Sequence, residues 1–180
     1  MKHSVKQTVL FLLLSFLTFN SFAWNRSIEL GYGLSQDPNG SKYYNSGVMV
    51  SGNFYPIRHT PWTFWSLSGA LGQWHTTAPQ YKDLTTAALS LALRLYPFTT
   101  DHNYPVYMLA SAGPALLSNK RFGVNSQAGI VTIQTNLGFG VELFPIDVNL
   151  RLEHFSNANL GSPNEGFNIL YLLSFGYLFA

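Results

Sequence analysis

The stretch from Val131 to Ser156, VTIQTNLGFGVELFPIDVNLRLEHFS, is typical of two β-strands joined by a short turn. Apolar side chains occupy nearly every second position on both sides of Phe144-Pro145, where the alternation is interrupted. Successive side chains of a strand point to opposite faces of its sheet, so residues two apart share a face. Each arm of this predicted hairpin therefore has one apolar face and one face of small or polar residues.

The same alternation recurs along the rest of the chain, clearly in 28–35, 85–95 and 169–179 and less regularly elsewhere. Strands of about ten residues with this pattern are typical of membrane barrels. The pattern predicts about eight strands, near 27–35, 44–56, 62–73, 83–96, 105–115, 128–143, 146–155 and 167–180.

The composition favours a membrane protein that crosses with strands. Aromatic residues make up 16% of the chain and charged residues 10%, against roughly 25% charged residues in soluble domains. After the N-terminal region, no segment reaches the ~18 uninterrupted apolar residues of a transmembrane helix. We therefore predict an all-β fold, an eight-stranded antiparallel transmembrane β-barrel of the outer membrane, whose closure satisfies every backbone group.

The N-terminus predicts export. Lys2, His3 and Lys6 precede an apolar run at 8–19, and Ser21-Phe22-Ala23 places small residues at a cleavage site. We assign residues 1–23 to a signal peptide and 24–180 to a single β-barrel domain. The chain has no cysteine, so no disulfide stabilises it. A net charge of +2 with scattered basic residues gives no indication of a nucleic-acid partner.

The gaps between strands predict the orientation. The gaps at 36–43, 74–82, 116–127 and 156–166 are mostly longer and polar, whereas those at 57–61, 97–104 and 144–145 are short or contain proline. Extracellular loops of outer-membrane barrels are long and periplasmic turns are short. Both termini are therefore predicted to be periplasmic, and the strand ending near residue 155 reaches the extracellular rim.

The inward face of the predicted barrel carries charged and amide side chains, which should pair across the lumen and fill it, leaving no pore. This set contains Glu29, Arg94, Asn136, Glu142, Asp147, Asn149, Arg151 and Glu153. Although Glu153 precedes His154, we interpret it as structural rather than as a catalytic acid.

His154 and Ser156 continue the apolar, lipid-facing side of their strand. A neutral imidazole near a hydroxyl can take its proton and make the serine a nucleophile, while nearby donors stabilise the oxyanion. A bare His-x-Ser pair is a weak signal, and two interfacial polar residues at the rim would give the same pattern.

The motif HFSNA at 154–158, PNxG at 163–166 and the closing aromatic strand resemble the lipid A 3-O-deacylase (PagL-type acyloxyacyl hydrolase) family. The resemblance implies an eight-stranded outer-membrane barrel that hydrolyses the ester-linked acyl chain at the 3-position of lipid A. It also implies His154 as general base and Ser156 as nucleophile. Asn164, together with Asn157, is implied to support the site or the oxyanion.

The resemblance also implies a third catalytic residue beside His154 and Ser156, and at this position the chain departs from the family pattern. Asn168 stands where the best-known members of the family place an acidic residue, and Glu165 is an alternative if its loop folds over His154. If Ile169 and Tyr171 face lipid, Asn168 faces inward unless a β-bulge intervenes. A milder departure is Asn159, where relatives often carry glycine.

The resemblance implies lipid A, or lipopolysaccharide, in the outer leaflet as the partner, and a homodimer is compatible with the sequence. No cofactor or metal is expected, and His59, His75 and His102 are interpreted as solvated loop or rim residues. Two alternatives remain. One is a catalytically silent outer-membrane barrel with a structural or adhesive role, and the other is a soluble lipocalin-like carrier, which needs a polar exterior.

Overall fold

The structure, a computed structural model, describes residues 26–36, 42–60, 62–97 and 106–179. The predicted signal peptide, residues 1–23, lies outside the described residues. The strands are β1 Arg26–Gln36, β2 Tyr44–Thr60, β3 Thr63–Thr76, β4 Asp83–Leu95, β5 Val106–Leu117, β6 Arg121–Phe122, β7 Asn125–Ser126, β8 Val131–Leu143, β9 Ile146–Ser156 and β10 Phe167–Phe179. Within these ranges, no helix is long and apolar enough to cross a membrane.

Eight of these strands form one closed barrel in the order β1-β10-β9-β8-β5-β4-β3-β2. Every neighbouring pair is antiparallel, and β1 closes the barrel by pairing with both β2 and β10. The short strands β6 and β7 pair only with each other, in the loop between β5 and β8. The predicted fold class is confirmed.

The outer surface of the barrel is apolar. Large exposed side chains alternate with inward-facing ones along the barrel strands, as a lipid-facing surface requires. They include Leu30, Tyr32, Leu34, Val48, Val50, Leu67, Leu71, Leu89, Leu91, Leu137, Phe139, Tyr171, Leu173, Phe175 and Tyr177. A soluble carrier would present polar side chains here, so this surface excludes the lipocalin-like alternative.

Side chains fill the lumen. An apolar cluster occupies its extracellular end and contains Met49, Trp74, Leu84, Ala115, Leu117, Phe122, Phe155, Phe167, Ile169 and Leu172. A smaller cluster near the periplasmic end contains Ala92, Tyr96, Tyr107 and Leu109. Charged and amide side chains occupy the rest of the interior.

Arg94 organises the charged part of the lumen and is only 2% exposed. Its guanidinium nitrogens lie 3.1 Å from Glu29 Oε1, 2.6 Å from Glu142 Oε1 and 2.8 Å from Asp147 Oδ2. Arg151 supplies a second cation, 3.2 Å from the other oxygen of Glu29. The predicted pairing of inward charges across the lumen is therefore confirmed.

Two strands extend further toward the extracellular side than predicted. Trp74 and Thr76 are buried and inward-facing, so β3 continues to Thr76 rather than ending at 73. β5 likewise reaches Leu117, and β8 begins only at Val131. Among the described residues, the extracellular loops are therefore L2 at 77–82, L3 at 118–130 and L4 at 157–166.

Replacing Arg94 by alanine should destabilise the barrel strongly, because Glu29, Glu142 and Asp147 all lose the same cation. Removing one partner from a buried ionic group costs about 3–5 kcal/mol. We expect a lower midpoint in urea for the refolded protein in detergent, followed by tryptophan fluorescence. Lys42→Ala, at an exposed position, is the control, and equal midpoints for the two variants would contradict this assignment.

Candidate active site

The side chains of His154, Ser156 and Asn168 form one polar row on the outside of the barrel, near its extracellular end. His154 on β9 is the cross-strand neighbour of Thr135 on β8 and of Asn168 on β10. Ser156 lies two residues further along β9 and therefore shares the face of His154. The residues that alternate with them, Glu153 and Phe155, are 0% exposed in the lumen, so His154 and Ser156 point outward.

His154 and Asn168 are joined by a hydrogen bond of 2.6 Å between Nδ1 of the imidazole and Oδ1 of the amide. An amide oxygen only accepts, so this contact places the proton of the neutral ring on Nδ1. The other ring nitrogen, Nε2, is then a proton acceptor. The arrangement orients the histidine as a general base requires.

A β-bulge brings Asn168 to this face. The register of β10 against β9 shifts between Ile169, which pairs with Glu153, and Leu172, which pairs with Arg151. Ile169 and Leu172 are both 0% exposed and face the lumen, although they are three residues apart. The expectation that Ile169 faces lipid is therefore wrong, and the bulge resolves the parity conflict in favour of Asn168.

The backbone beside the bulge has a partner of its own. The paired register of β1 with β10 ends at Leu34 and Tyr171. Beyond that point, the hydroxyl of Ser35 donates to the carbonyl oxygen of Asn168 at 2.7 Å. Sequence reasoning missed Ser35, because a serine at a strand end has no distinguishing pattern.

L4 is folded by its asparagines. The Asn157 side chain is 5% exposed, and its Nδ2 donates to the carbonyl oxygens of Gly161 at 2.8 Å and Pro163 at 3.2 Å. Asn164 Oδ1 accepts from the backbone N–H of Asn157 at 2.9 Å, and Asn164 Nδ2 donates to Asn159 Oδ1 at 2.8 Å. Both predicted residues thus lie directly beyond Ser156, where they hold the loop closed.

Glu165 points away from His154 and toward L3. Its carboxylate accepts from the backbone N–H of Ser126 at 2.6 Å and from the Ser126 hydroxyl at 3.0 Å. The N–H of Glu165 donates to the carbonyl oxygen of Ser126 at 3.1 Å, and Gln127 forms a bridge with Asn164. Of the two candidates for the third position, the structure brings Asn168, and not Glu165, to the histidine.

Aromatic rings support the row from the lumen side. Phe155 and Phe167, a cross-strand pair between β9 and β10, stack with their centroids 4.6 Å apart and their planes at 14°. Phe122 from the L3 hairpin packs on Phe167 at 5.3 Å. The strands that carry His154 and Asn168 therefore rest on a packed apolar cluster.

Gly166 closes the site from the side of L4. Its φ is +62°, in the left-handed region that favours glycine. A Cβ at this position would lie 3.0 Å from Cε1 and 3.7 Å from Nε2 of His154. The absence of a side chain at 166 lets the loop approach the imidazole closely.

His75 and Asp83, near the rim, contact each other rather than the site. His75, on the far side of the barrel, contacts Asp83 Oδ1 through Nδ1 at 2.9 Å, and both side chains are exposed. In the part of the chain that the structure describes, no three His, Cys, Asp or Glu side chains are grouped so as to hold a metal ion. The site consists of uncharged polar side chains bordered by apolar ones.

The fold and the site thus define the class of protein: a small outer-membrane barrel with a row of polar side chains that opens to lipid. The family model for lipid A 3-O-deacylase (PagL) matches residues 47–177, and the chain belongs to this family. It is therefore an outer-membrane ester hydrolase that acts on lipid A.

Solved structures agree with the fold. The crystal structure of the outer membrane enzyme PagL covers 84% of this chain and 98% of its own, with 16% identity and a TM-score of 0.61. The structure of Neisserial surface protein A aligns with 87% of this chain over 97% of its own length, with 12% identity and a TM-score of 0.54. The structure of the Yersinia pestis protein Ail aligns with 87% of this chain over 99% of its own length, with 16% identity and a TM-score of 0.51. No curated protein sequence matches the chain significantly.

Gly166→Ala should impair deacylation while leaving the barrel folded. The new methyl group crowds the imidazole, and its backbone conformation is unfavourable for alanine, so we expect a rate lower by about tenfold or more. Release of 3-hydroxy fatty acid from lipid A measures the effect. Gly129→Ala is the matched control, because the nearest atom to its Cβ would lie 3.8 Å away; equal activity of both variants would contradict the close approach.

Proposed function

We propose that the enzyme removes the 3-O-linked acyl chain of lipid A by a serine–histidine mechanism, with Ser156 as nucleophile and His154 as general base. The observation that supports it best is the hydrogen bond of 2.6 Å between His154 and Asn168 on the lipid-facing side, next to Ser156. It sets the tautomer that a base needs and directs it toward the bilayer.

The substrate reaches the site from the membrane. Lipid A lies in the outer leaflet with its acyl chains against the barrel wall, and the exposed side chains of Leu137 and Leu152 flank the row. His154 and Ser156 are half-buried, at the extracellular end of β9. An ester at the junction of an acyl chain and its glucosamine is at the depth of this pair.

The first chemical step acylates the enzyme. His154 Nε2 takes the proton of the Ser156 hydroxyl as its oxygen attacks the ester carbonyl carbon. When the tetrahedral intermediate collapses, the carbon–oxygen bond to glucosamine breaks, and His154 gives the proton to the sugar oxygen. Water, deprotonated by the same histidine, then releases the 3-hydroxy fatty acid from Ser156.

Asn164 is our candidate for oxyanion stabilisation. An amide nitrogen has two N–H donors, and the described residues supply one acceptor for Asn164 Nδ2, the Oδ1 of Asn159. The remaining N–H is available to a developing oxyanion near Ser156. Asn157 has the supporting role, because its amide donates to the two carbonyl oxygens that shape L4.

Asn168 acts as the third member in this proposal. Its Oδ1 fixes the orientation and tautomer of the imidazole, but it carries no charge to stabilise the imidazolium that forms during the reaction. The uncharged pair of His154 and Asn168 suits a site bordered by lipid, where an unpaired carboxylate would be costly to desolvate.

A catalytically silent barrel with a structural or adhesive role is the second candidate. Asn168 in place of an acidic residue favours it. Neisserial surface protein A and the outer membrane protein Ail share the barrel fold.

Ser156→Ala and His154→Ala should each lower the rate of deacylation by at least about a thousandfold, because each removes a group that acts in bond making. The measurement is mass spectrometry of lipid A from cells that express each variant, scored for loss of one 3-hydroxyacyl chain.

The chain offers matched controls on the opposite side of the barrel. Ser46 and His75 are cross-strand neighbours near the same rim, and Ser46→Ala and His75→Ala should leave activity unchanged. A wild type that removes no acyl chain would overturn the proposed function in favour of the silent barrel. Full activity of Ser156→Ala would overturn only the nucleophile.

Asn168→Ala should lower the rate by about 10–100-fold, since the imidazole loses its orienting acceptor. Asn168→Asp should retain at least the wild-type rate, because a carboxylate accepts the same hydrogen bond and adds charge stabilisation. Steady-state kinetics on purified lipid A compare the two variants. If Asn168→Ala is fully active while Glu165→Ala is impaired, the third position belongs to Glu165.

A further inference from the structure

L2 and L3 meet at a seam on the extracellular surface. We define this cationic seam as Tyr81 and Lys82 from L2, with Lys120 and Arg121 from L3. The backbone N–H of Gly123 donates to the carbonyl oxygen of Tyr81 at 3.0 Å, which fixes the two loops to each other. The four side chains are all exposed.

Arg121 is held in place at the seam. Its Nη1 donates to the hydroxyl of Tyr81 at 2.8 Å, and its guanidinium carbon lies 5.1 Å from the centre of the Tyr81 ring. Tyr81 has a φ of +51°, a left-handed conformation that non-glycine residues rarely adopt. A strained residue thus orients an exposed guanidinium whose remaining N–H groups are directed to no other described side chain.

The charge at the seam is of one sign. Among the described residues, no carboxylate lies within ion-pair distance of Lys82, Lys120 or Arg121. Among the described residues of this end, the exposed acidic side chains of Asp83 and Glu165 are engaged elsewhere, Asp83 with His75 and Glu165 with Ser126. Three exposed cations on two loops that are hydrogen-bonded to each other favour an anionic ligand.

We propose that the cationic seam binds a phosphate group of lipid A. Guanidinium groups bind phosphate oxygens through paired hydrogen bonds, and the two ammonium groups add point charges. The extracellular surface of an outer-membrane barrel faces the phosphorylated headgroups of the outer leaflet. The inference rests on the proposed function only in taking lipid A as the occupant.

The seam is linked to the catalytic side through the L3 hairpin. Arg121 pairs with Ser126 across β6 and β7, and Ser126 is hydrogen-bonded to Glu165, the neighbour of Gly166. A headgroup bound at the seam therefore rests on the same hairpin that fixes L4 beside His154. This places the phosphate site and the catalytic row on one connected extracellular surface.

The test uses the full-length barrel with Ser156→Ala, reconstituted in phosphatidylcholine vesicles, so that binding is measured without turnover. Lipid A carrying both phosphates and lipid A freed of phosphate are titrated, with tryptophan fluorescence as the readout. The combined Lys82→Ala, Lys120→Ala and Arg121→Ala variant should bind the phosphorylated lipid at least about tenfold more weakly. Its affinity for the dephosphorylated lipid should stay within about twofold.

The controls separate the possible occupants. Lys42→Ala removes an exposed cation outside the seam and should change neither affinity. Arg121→Lys should recover part of the loss, and the heat-dependent gel mobility of a folded barrel checks every variant. The proposal would be overturned if the Ser156→Ala protein with an intact seam bound both lipids with equal affinity. It would also be overturned if that protein bound inorganic phosphate as tightly as it binds phosphorylated lipid A. Because turnover plays no part, these results are independent of whether the wild type deacylates lipid A.

Discussion

The register of β10 against β9 is the constraint on which the site depends. Side chains of a strand alternate between lipid and lumen, so a uniform β10 with Tyr171, Leu173 and Phe175 outward would turn Asn168 inward. The bulge between Ile169 and Leu172 shifts the alternation once. Below it the strand presents a continuous apolar face to lipid, and above it the same strand presents an amide to His154. One local irregularity thus makes an apolar, lipid-facing strand compatible with the proposed catalytic site on the outer wall.

The packed lumen gives that irregularity a rigid base. Ile169 and Leu172, which flank the bulge, join the apolar cluster at the extracellular end, and Phe155 and Phe167 stack behind the proposed catalytic row. Closer to the periplasm, the ion pairs of Arg94 and Arg151 neutralise buried carboxylates. Among the described residues, inward-facing side chains pack the interior, and the surfaces considered for function are the outer wall and the extracellular loops. L3 connects these surfaces, because it packs Phe122 into the lumen and binds L4 through Ser126.

Alternation along the strands made the barrel, its closure and the outward parity of His154 and Ser156 predictable from the sequence. A bulge was raised as a condition, but its presence and position were not predictable, because Ile169, Leu170 and Tyr171 are all large and mainly apolar and give no sign of where the alternation shifts. The role of Glu165 was equally hidden, since its partner Ser126 lies 39 residues away in the chain. The β6–β7 hairpin is too short for a periodic signal, and Tyr81 and Arg121 come together only through the fold. Contacts between loops, unlike strands, leave no regular trace in the order of residues.

The sideways opening of the proposed catalytic row has a consequence for how the enzyme encounters its substrate. A row that faces the leaflet samples lipid that diffuses in two dimensions, so its supply is set by the mole fraction of lipid A around the barrel rather than by any concentration in water. Neither a pocket nor a lid is required to exclude solvent, because the surrounding acyl chains do so. The released fatty acid also begins in the bilayer, and its departure is lateral. Dilution of lipid A by other lipids in the same leaflet would therefore slow turnover even at a constant total amount of substrate.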